Sequence, residues 1–278
     1  MICATGSLYS IEEIMRKPGI SSNAEAVRDC DIGRNCAFTA AKERIIGKNR
    51  ERNGIGTLSE KTVHAVLKNY YAPDETQHEI PVEGCVADIF NGKEIIEIQT
   101  RSFDRMRPKL ERFLPLYPVT IVYPIPYCKH VFWIDEETGE ISGGRKSPLK
   151  GSPYLAFKEL YRIKAYLQDP NLTIRLTFLN MEEYKLLNGW SRDKKRGSSR
   201  YDRIPVSIER EMEFTCAQDY VQLIPYDLPE PFTSAQLAKA VQIRKEQAGI
   251  VCNILHDLGV MKREGKKGNA YLYRVVEV

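Results

Sequence analysis

The chain has 278 residues, 42% of them hydrophobic and 28% charged, a balance typical of globular proteins and unlike that of disordered or collagen-like chains. No stretch approaches the ~18 consecutive apolar residues of a membrane-spanning helix, so no membrane association is expected. The net charge of +4 is too small to indicate a nucleic-acid partner by itself. The beginning of the sequence lacks a secretory leader, and the seven cysteines contain no C-x-x-C pair, which together predict a cytoplasmic protein without structural zinc.

The first half of the chain predicts helices around a three-stranded meander. Residues 35–52 are rich in helix-forming side chains, and TLSEKTVHAVLKNYY (57–71) has an apolar stripe with helical spacing. HEIPV, CVADIF and EIIEIQT then predict antiparallel strands, separated by Glu83-Gly84 and by Asn91-Gly92, a strong hairpin signal. FDRMRPKLERFL predicts a helix and PVTIVYPI a buried strand.

The second half is less regular. KHVFWIDEETGEISGG predicts a hairpin, YLAFKELYRIKAYL a helix, and LTIRLTFLNMEEYKLL a strand that runs into a helix. WSRDKKRGSSRYDR predicts an exposed basic loop, and the prolines of IPYDLPEP predict a linker.

Three polar side chains in the meander suggest chemistry. Glu97 and Gln99 are two residues apart and share one face of their strand, and the Asn91-Gly92 turn brings Asp88 towards them. Two converging carboxylates repel each other, so such a site favours a hard divalent cation. Glu97 and Gln99 on a solvent-exposed face remain an alternative, but Ile95, Ile96 and Ile98 predict a strand buried on both faces.

This arrangement resembles the PD-(D/E)XK nuclease superfamily, whose core is a helix, a meander bearing D and E-x-K, a helix and a fourth strand. The resemblance covers residues 57–123. It implies that Asp88, Glu97 and the backbone carbonyl of Ile98 bind Mg²⁺ (or Mn²⁺), and that Glu60 is the acid on the preceding helix. Gln99 stands where the family has lysine, and a neutral amide supplies hydrogen bonds but no positive charge.

Two further interpretations accompany that site. Glu60 also completes a capping box with Thr57, which requires no catalytic role. Arg101 and Arg105 follow the third strand and are candidates to clamp phosphate.

The last fifty residues predict a compact unit of their own. Thr233-x-x-Gln236 is a capping box that opens a short helix, a second helix ends at Gly259, and KREGKKGN joins two strands. The unit resembles a winged helix, which implies DNA contacts through its second helix and its hairpin wing. The candidate DNA-binding residues are Arg244, Lys245, Lys262, Arg263, Lys266 and Lys267. A protein-docking role for the unit is the alternative.

The sequence therefore predicts an α/β protein with a restriction-endonuclease-like mixed sheet flanked by helices and a small winged-helix (α+β) domain. The expected divisions are a nuclease-like domain (1–190), a basic loop and linker (191–229) and the winged-helix domain (230–278). The function predicted is that of a metal-dependent DNA endonuclease targeted by the winged helix. The alternative is a non-catalytic DNA-binding regulator on a nuclease-like scaffold. DNA is the expected partner, and a homodimer is left open.

Overall fold

The computed structural model describes residues 33–46, 62–189 and 197–276. The helices are α1 (residues 33–46), α2 (Thr62–Tyr71), α3 (Arg107–Phe113), α4 (Phe157–Leu160), α5 (Ser234–Ala240) and α6 (Lys245–Asp257). The strands are β1 (His78–Val82), β2 (Cys85–Phe90), β3 (Ile95–Ile98), β4 (Val119–Asp135), β5 (Ile141–Lys146), β6 (Leu172–Leu187), β7 (Ser199–Phe214), β8 (Met261–Lys267) and β9 (Ala270–Val275). Short 3₁₀ helices cover Glu75–Gln77, Phe103–Met106, Pro153–Ala156, Tyr161–Tyr166 and Ala217–Leu223.

A mixed seven-stranded sheet forms the main body of the described residues. Its strand order is β1-β2-β3-β4-β6-β7, and β5 pairs with the far half of β4. The β3–β4 and β4–β6 pairs are parallel, whereas the other neighbouring pairs are antiparallel. The predicted α/β class and the order helix, three strands, helix, strand are confirmed.

Helices cover both faces of the sheet. On one face α1 and α2 pack on Ile96, Ile98 and Leu179 and form one buried apolar cluster. On the other face α3 and α4 form a second cluster with strand residues such as Ile121 and Phe178. Burial on both faces explains the run of three isoleucines in β3, every residue of which is buried.

Three predictions of local structure were wrong. Residues 172–187 form one continuous strand, because β6 pairs with β4 and β7 along its length and these hydrogen bonds outweigh the helix propensity of its second half. Residues 154–167 are not one helix but two 3₁₀ segments flanking α4, with a break at Ile163 (φ −117°, ψ 19°). In the segment predicted as basic loop and linker, residues 199–214 form β7 of the main sheet.

The carboxy-terminal unit follows its predicted order of two helices and a hairpin. The capping box of Thr233 and Gln236 is present, and Gly259 has the left-handed φ of 77° that ends α6. The hairpin turn is shorter than expected, since β8 continues to Lys267 and β9 begins at Ala270.

The carboxy-terminal unit is packed against the α3 and α4 side of the main body. Gln247 Nε2 donates a hydrogen bond to the carbonyl of Tyr154 (2.8 Å), and Lys164 Nζ pairs with Asp257 Oδ2 (2.8 Å). Residues of α6 such as Ile254 belong to the same buried cluster as α3 and α4. One flank of α6 is therefore occupied by contacts with the main body.

Within the described ranges, no helix has the length and apolar character needed to cross a membrane.

Candidate functional site

The candidate site lies where β2 and β3 separate. The pairing of these strands consists of Ile89 with Ile96 and Phe90 with Ile95, and Asp88 and Glu97 follow directly beyond it. Instead of a further ladder bond, the backbone N–H of Ile98 donates to Asp88 Oδ2 at 2.8 Å. The predicted juxtaposition of Asp88 and Glu97 is present, and the two carboxylates lie where the ladder between β2 and β3 ends.

Glu97 is a buried acid with a cationic partner. Only 1% of its surface is exposed, and Lys109 Nζ of α3 donates to both of its carboxylate oxygens, at 2.9 and 2.7 Å. The backbone N–H of Asp88 also donates to Glu97 Oε1 (3.4 Å). Burial, reinforced by repulsion from Asp88 and opposed by Lys109, raises the pKa of Glu97 from 4.5 to about 7.

Asp88 stays acidic beside it. Its Oδ2 lies 3.1 Å from Nε2 of His64, which projects from α2. Burial acts to raise the pKa of Asp88, but His64, the N–H of Ile98 and the charge of Lys109 together hold that pKa below its usual value. The two carboxylates therefore ionise at separate pH values, and the second ionises near neutrality.

Gln99 lies immediately beyond β3. Its backbone N–H donates to the carbonyl of Val122 (2.9 Å), which continues the parallel pairing with β4. Its side chain is half-buried. Gln99, at the position where the resemblance expects a lysine, is two residues after Glu97 in the chain. The positive charge beside Glu97 comes instead from Lys109 on the next helix.

Sequence reasoning missed Lys109 and His64 as members of this cluster. Lys109 is twelve residues beyond Glu97 in the chain, and only the crossing of α3 over the sheet brings the two side chains together. A signal for His64 was available in the sequence, because it stands four positions after Glu60, where the helix-borne acid was expected, on a stretch predicted to be helical. Glu60 itself lies outside the described residues.

The donor set fits a hard cation such as Mg²⁺. Across the residues that the structure describes, no three His, Cys, Asp or Glu side chains converge on one point, so the set consists of two carboxylates and main-chain oxygen. Mg²⁺ retains several waters and is commonly held by one or two protein carboxylates together with substrate phosphate. One buried and one partly buried carboxylate without a carboxylate-rich cage match that preference, and Asp88, Glu97 and the Ile98 carbonyl would be the protein ligands.

The predicted phosphate clamps lie at the surface, in the segment between β3 and α3. Arg101 follows β3 and Arg105 lies in the 3₁₀ helix before α3, and both are exposed. Arg101 is close enough to Arg200 on β7 for the two guanidinium groups to repel each other.

The predicted DNA-binding residues of the carboxy-terminal unit are also exposed. Arg244 caps α6 and Lys245 begins it, next to the acidic Glu246. The other four predicted DNA-binding residues, Lys262, Arg263, Lys266 and Lys267, lie on the hairpin. Arg263 and Lys266 lie over the ring of Tyr271, at 4.2 and 4.9 Å from its centroid respectively, so cation–π contacts order part of the hairpin.

Comparison with known proteins identifies a family but no activity. A family described as a domain of unknown function (DUF8091) matches residues 61–215, more than half of the chain, and the chain belongs to this family. A protein from Treponema pallidum (strain Nichols), described as uncharacterized, is 28% identical over 233 residues, which cover 79% of this chain and 87% of that protein. No solved structure matches the chain. The family range contains Asp88, Glu97 and Lys109 together with the main sheet.

Proposed function

We propose that this member of the DUF8091 family is a Mg²⁺-dependent (or Mn²⁺-dependent) DNA endonuclease with a restriction-endonuclease-like core. The observation that carries the proposal is the pair of carboxylates, Asp88 and Glu97, at a strand separation with Lys109 in contact. A purely structural ion pair requires one acid and one base. A second, directly adjacent carboxylate, that of the partly buried Asp88, raises the cost of ionising Glu97, and that cost has an evident use if the pair binds a divalent cation.

Each side chain has a role in the proposed hydrolysis. Asp88 and Glu97, with the carbonyl of Ile98, would hold the cation, which would supply Lewis-acid stabilisation of the phosphate charge and acidify water. Lys109 supplies the positive charge that Gln99 lacks and stabilises the developing oxyanion. Gln99 orients the attacking water by hydrogen bonding, and His64 holds the Asp88 carboxylate in place.

DNA is delivered by the carboxy-terminal unit, which we propose to be a winged helix. Its order of helix, helix and hairpin and its ordered basic wing support this role. Because one flank of α6 is packed on the main body, the wing and the beginning of α6 are the parts available for DNA. Backbone contacts of this kind position the duplex without reading its sequence.

Cleavage of DNA tests the proposal. Full-length protein is incubated with supercoiled plasmid and with single-stranded DNA in Mg²⁺ or Mn²⁺, beside an Asp88→Ala/Glu97→Ala variant. We expect nicked or linear product from the wild type and none above background from the variant, because the variant lacks both carboxylate ligands. Equal cleavage by a wild type and a variant that are both folded, judged by circular dichroism, would place the activity elsewhere.

A non-catalytic DNA-binding regulator is the second candidate, favoured by the neutral Gln99 at the position of the family's lysine. Gln99→Lys separates the two functions. If the chain is a nuclease, Lys109 already supplies the charge, and we expect a second ammonium beside it to leave cleavage unchanged or lower it. If a wild type without activity gains Mg²⁺-dependent cleavage on this substitution, the regulator with a decayed site is the correct description.

A further inference from the structure

A second charged cluster lies on the long strands beyond the candidate site. Glu183 of β6 is almost completely buried, with 4% of its side chain exposed, and four cationic groups surround its carboxylate. Lys129 and Arg203 lie at hydrogen-bonding distance, 3.0 Å each, whereas Arg200 and Lys185 lie at 3.7 and 4.0 Å. We call this set of five residues the Glu183 cluster.

Strand register produces the cluster. Glu183 is paired with Val131 of β4 and with Arg203 of β7, and Lys185 is paired with Arg200. Side chains at paired positions project from the same face of a sheet, so three strands place their cations together. The arrangement depends on β7, the strand that sequence analysis predicted to be a loop.

The cluster carries a surplus of positive charge. One carboxylate faces four cations, and the side chains of Lys185 and Arg200 remain 35% and 55% exposed. Burial, followed by repulsion from Arg203 and from the more distant Arg101, lowers the pKa of the Arg200 guanidinium against the attraction of Glu183. Glu183 therefore fixes the cations in place without neutralising them, which leaves them available to an anion.

The cluster and the candidate site face the same end of the sheet. β3 stops at Ile98, level with Val122 of β4, while β4 and β6 continue in the direction in which β3 points. At about 3.3 Å per residue, Lys129 lies roughly 20 Å beyond Val122 along β4. Arg101, which follows β3, is near enough to Arg200 for their positive charges to repel.

We propose that the Glu183 cluster binds the phosphate backbone of duplex DNA roughly 20 Å from the Asp88–Glu97 pair. The inference rests on the proposed function, since it names a contact made by the same DNA. A span of this length corresponds to about six base pairs at 3.4 Å each, so one duplex reaches both regions. Cations spread over three strands suit a chain of phosphates better than a single small anion.

Equilibrium binding of a fluorescent 30-base-pair duplex tests this contact. The assay uses full-length protein in EDTA, so that cleavage plays no part, between 50 and 200 mM KCl. The test variant is Lys185→Gln/Arg200→Gln, which removes the two outer cations and leaves Lys129 and Arg203 to satisfy the buried carboxylate. The control is Lys42→Gln/Lys93→Gln, which removes the same charge from outside the cluster.

We expect the test variant to bind on the order of ten-fold more weakly at 100 mM salt, with the slope of log K against log salt smaller by about two. The control should change affinity less than two-fold, and thermal unfolding should show that both variants are folded. Equal effects of test and control variants would overturn the proposal. So would displacement of the duplex by inorganic phosphate at constant ionic strength, or tighter, equally cluster-dependent binding of duplex RNA.

The outcome is independent of the plasmid assay. Cluster-dependent DNA binding without Mg²⁺-dependent cleavage would contradict the endonuclease and retain the backbone contact. If cleavage requires Asp88 and Glu97 but DNA binding does not depend on the Glu183 cluster, the endonuclease is retained and the backbone contact is contradicted.

Discussion

Replacing Lys109 by Met is expected to lower Mg²⁺-dependent DNA cleavage by about 10²- to 10³-fold, the usual loss when one group that stabilises transition-state charge is removed. Met keeps much of the length and apolar stem of lysine but has no charge. Lys109 contacts both oxygens of Glu97, and no other cationic side chain is shown in contact with that carboxylate among the described residues. Initial rates on supercoiled plasmid at saturating Mg²⁺ measure the effect.

Lys109→Arg is the matched control, because it retains the charge with a different geometry. We expect it to cleave more slowly than the wild type and faster than the Met variant. If Lys109→Met cleaves at the wild-type rate, the charge of Lys109 has no catalytic part, and stabilisation of the developing oxyanion would have to come from Gln99. Comparing the Mg²⁺ dependence of the variants separates a lower rate from weaker metal binding.

Replacing Glu97 by Gln is expected to abolish cleavage while making the folded protein more stable above neutral pH. The pKa of Glu97 in the folded chain, about 7, is above its ordinary 4.5, so Glu97 contributes stability below pH 4.5 that is lost as the pH rises through 7. Gln does not ionise and avoids this loss. At pH 8 the free energy of unfolding should therefore be higher in the variant, by on the order of 2–3 kcal/mol.

Urea denaturation between pH 5 and pH 8 measures this difference. The control is Glu94→Gln, the same chemical change in the exposed turn before β3, where the amide still accepts the hydrogen bond from Asn91. Glu94→Gln should follow the wild type in both stability and cleavage. A Glu97→Gln variant that loses activity because it is less stable at pH 8 would indicate a structural ion pair with Lys109 instead of a site that sacrifices stability for function.

The site carboxylates were predictable because their proximity follows from local rules. A hairpin turn at Asn91-Gly92 and the two-residue period of strands are enough to bring Asp88 beside Glu97. The connection is longer than the two-residue turn expected and spans residues 91–94, with Gly92 at a φ of 86° and the Asn91 side chain accepting the N–H groups of Lys93 and Glu94. The meander, the helix that follows it and the carboxy-terminal helices rest on similarly local signals.

Features that depend on tertiary pairing were not predictable. The segment of β7 follows directly after Gly197 and Ser198 and contains several arginines, which indicate a loop until the long partner strand β6 is known. The second half of β6 is composed of good helix formers and becomes a strand because partners flank it on both sides. Lys109 joins the site through the path of α3 across the sheet, and this path leaves no periodic signal in the sequence.

Manganese binding tests the central claim, that Asp88 and Glu97 form a divalent cation site, most directly. Mn²⁺ is titrated into full-length protein at pH 8, where Glu97 is largely ionised, and free Mn²⁺ is measured by electron paramagnetic resonance. We predict that the wild type binds one more Mn²⁺ per chain than the Asp88→Ala/Glu97→Ala variant. Equal numbers and affinities of bound Mn²⁺ in the two proteins would contradict the metal site and the endonuclease mechanism built on it.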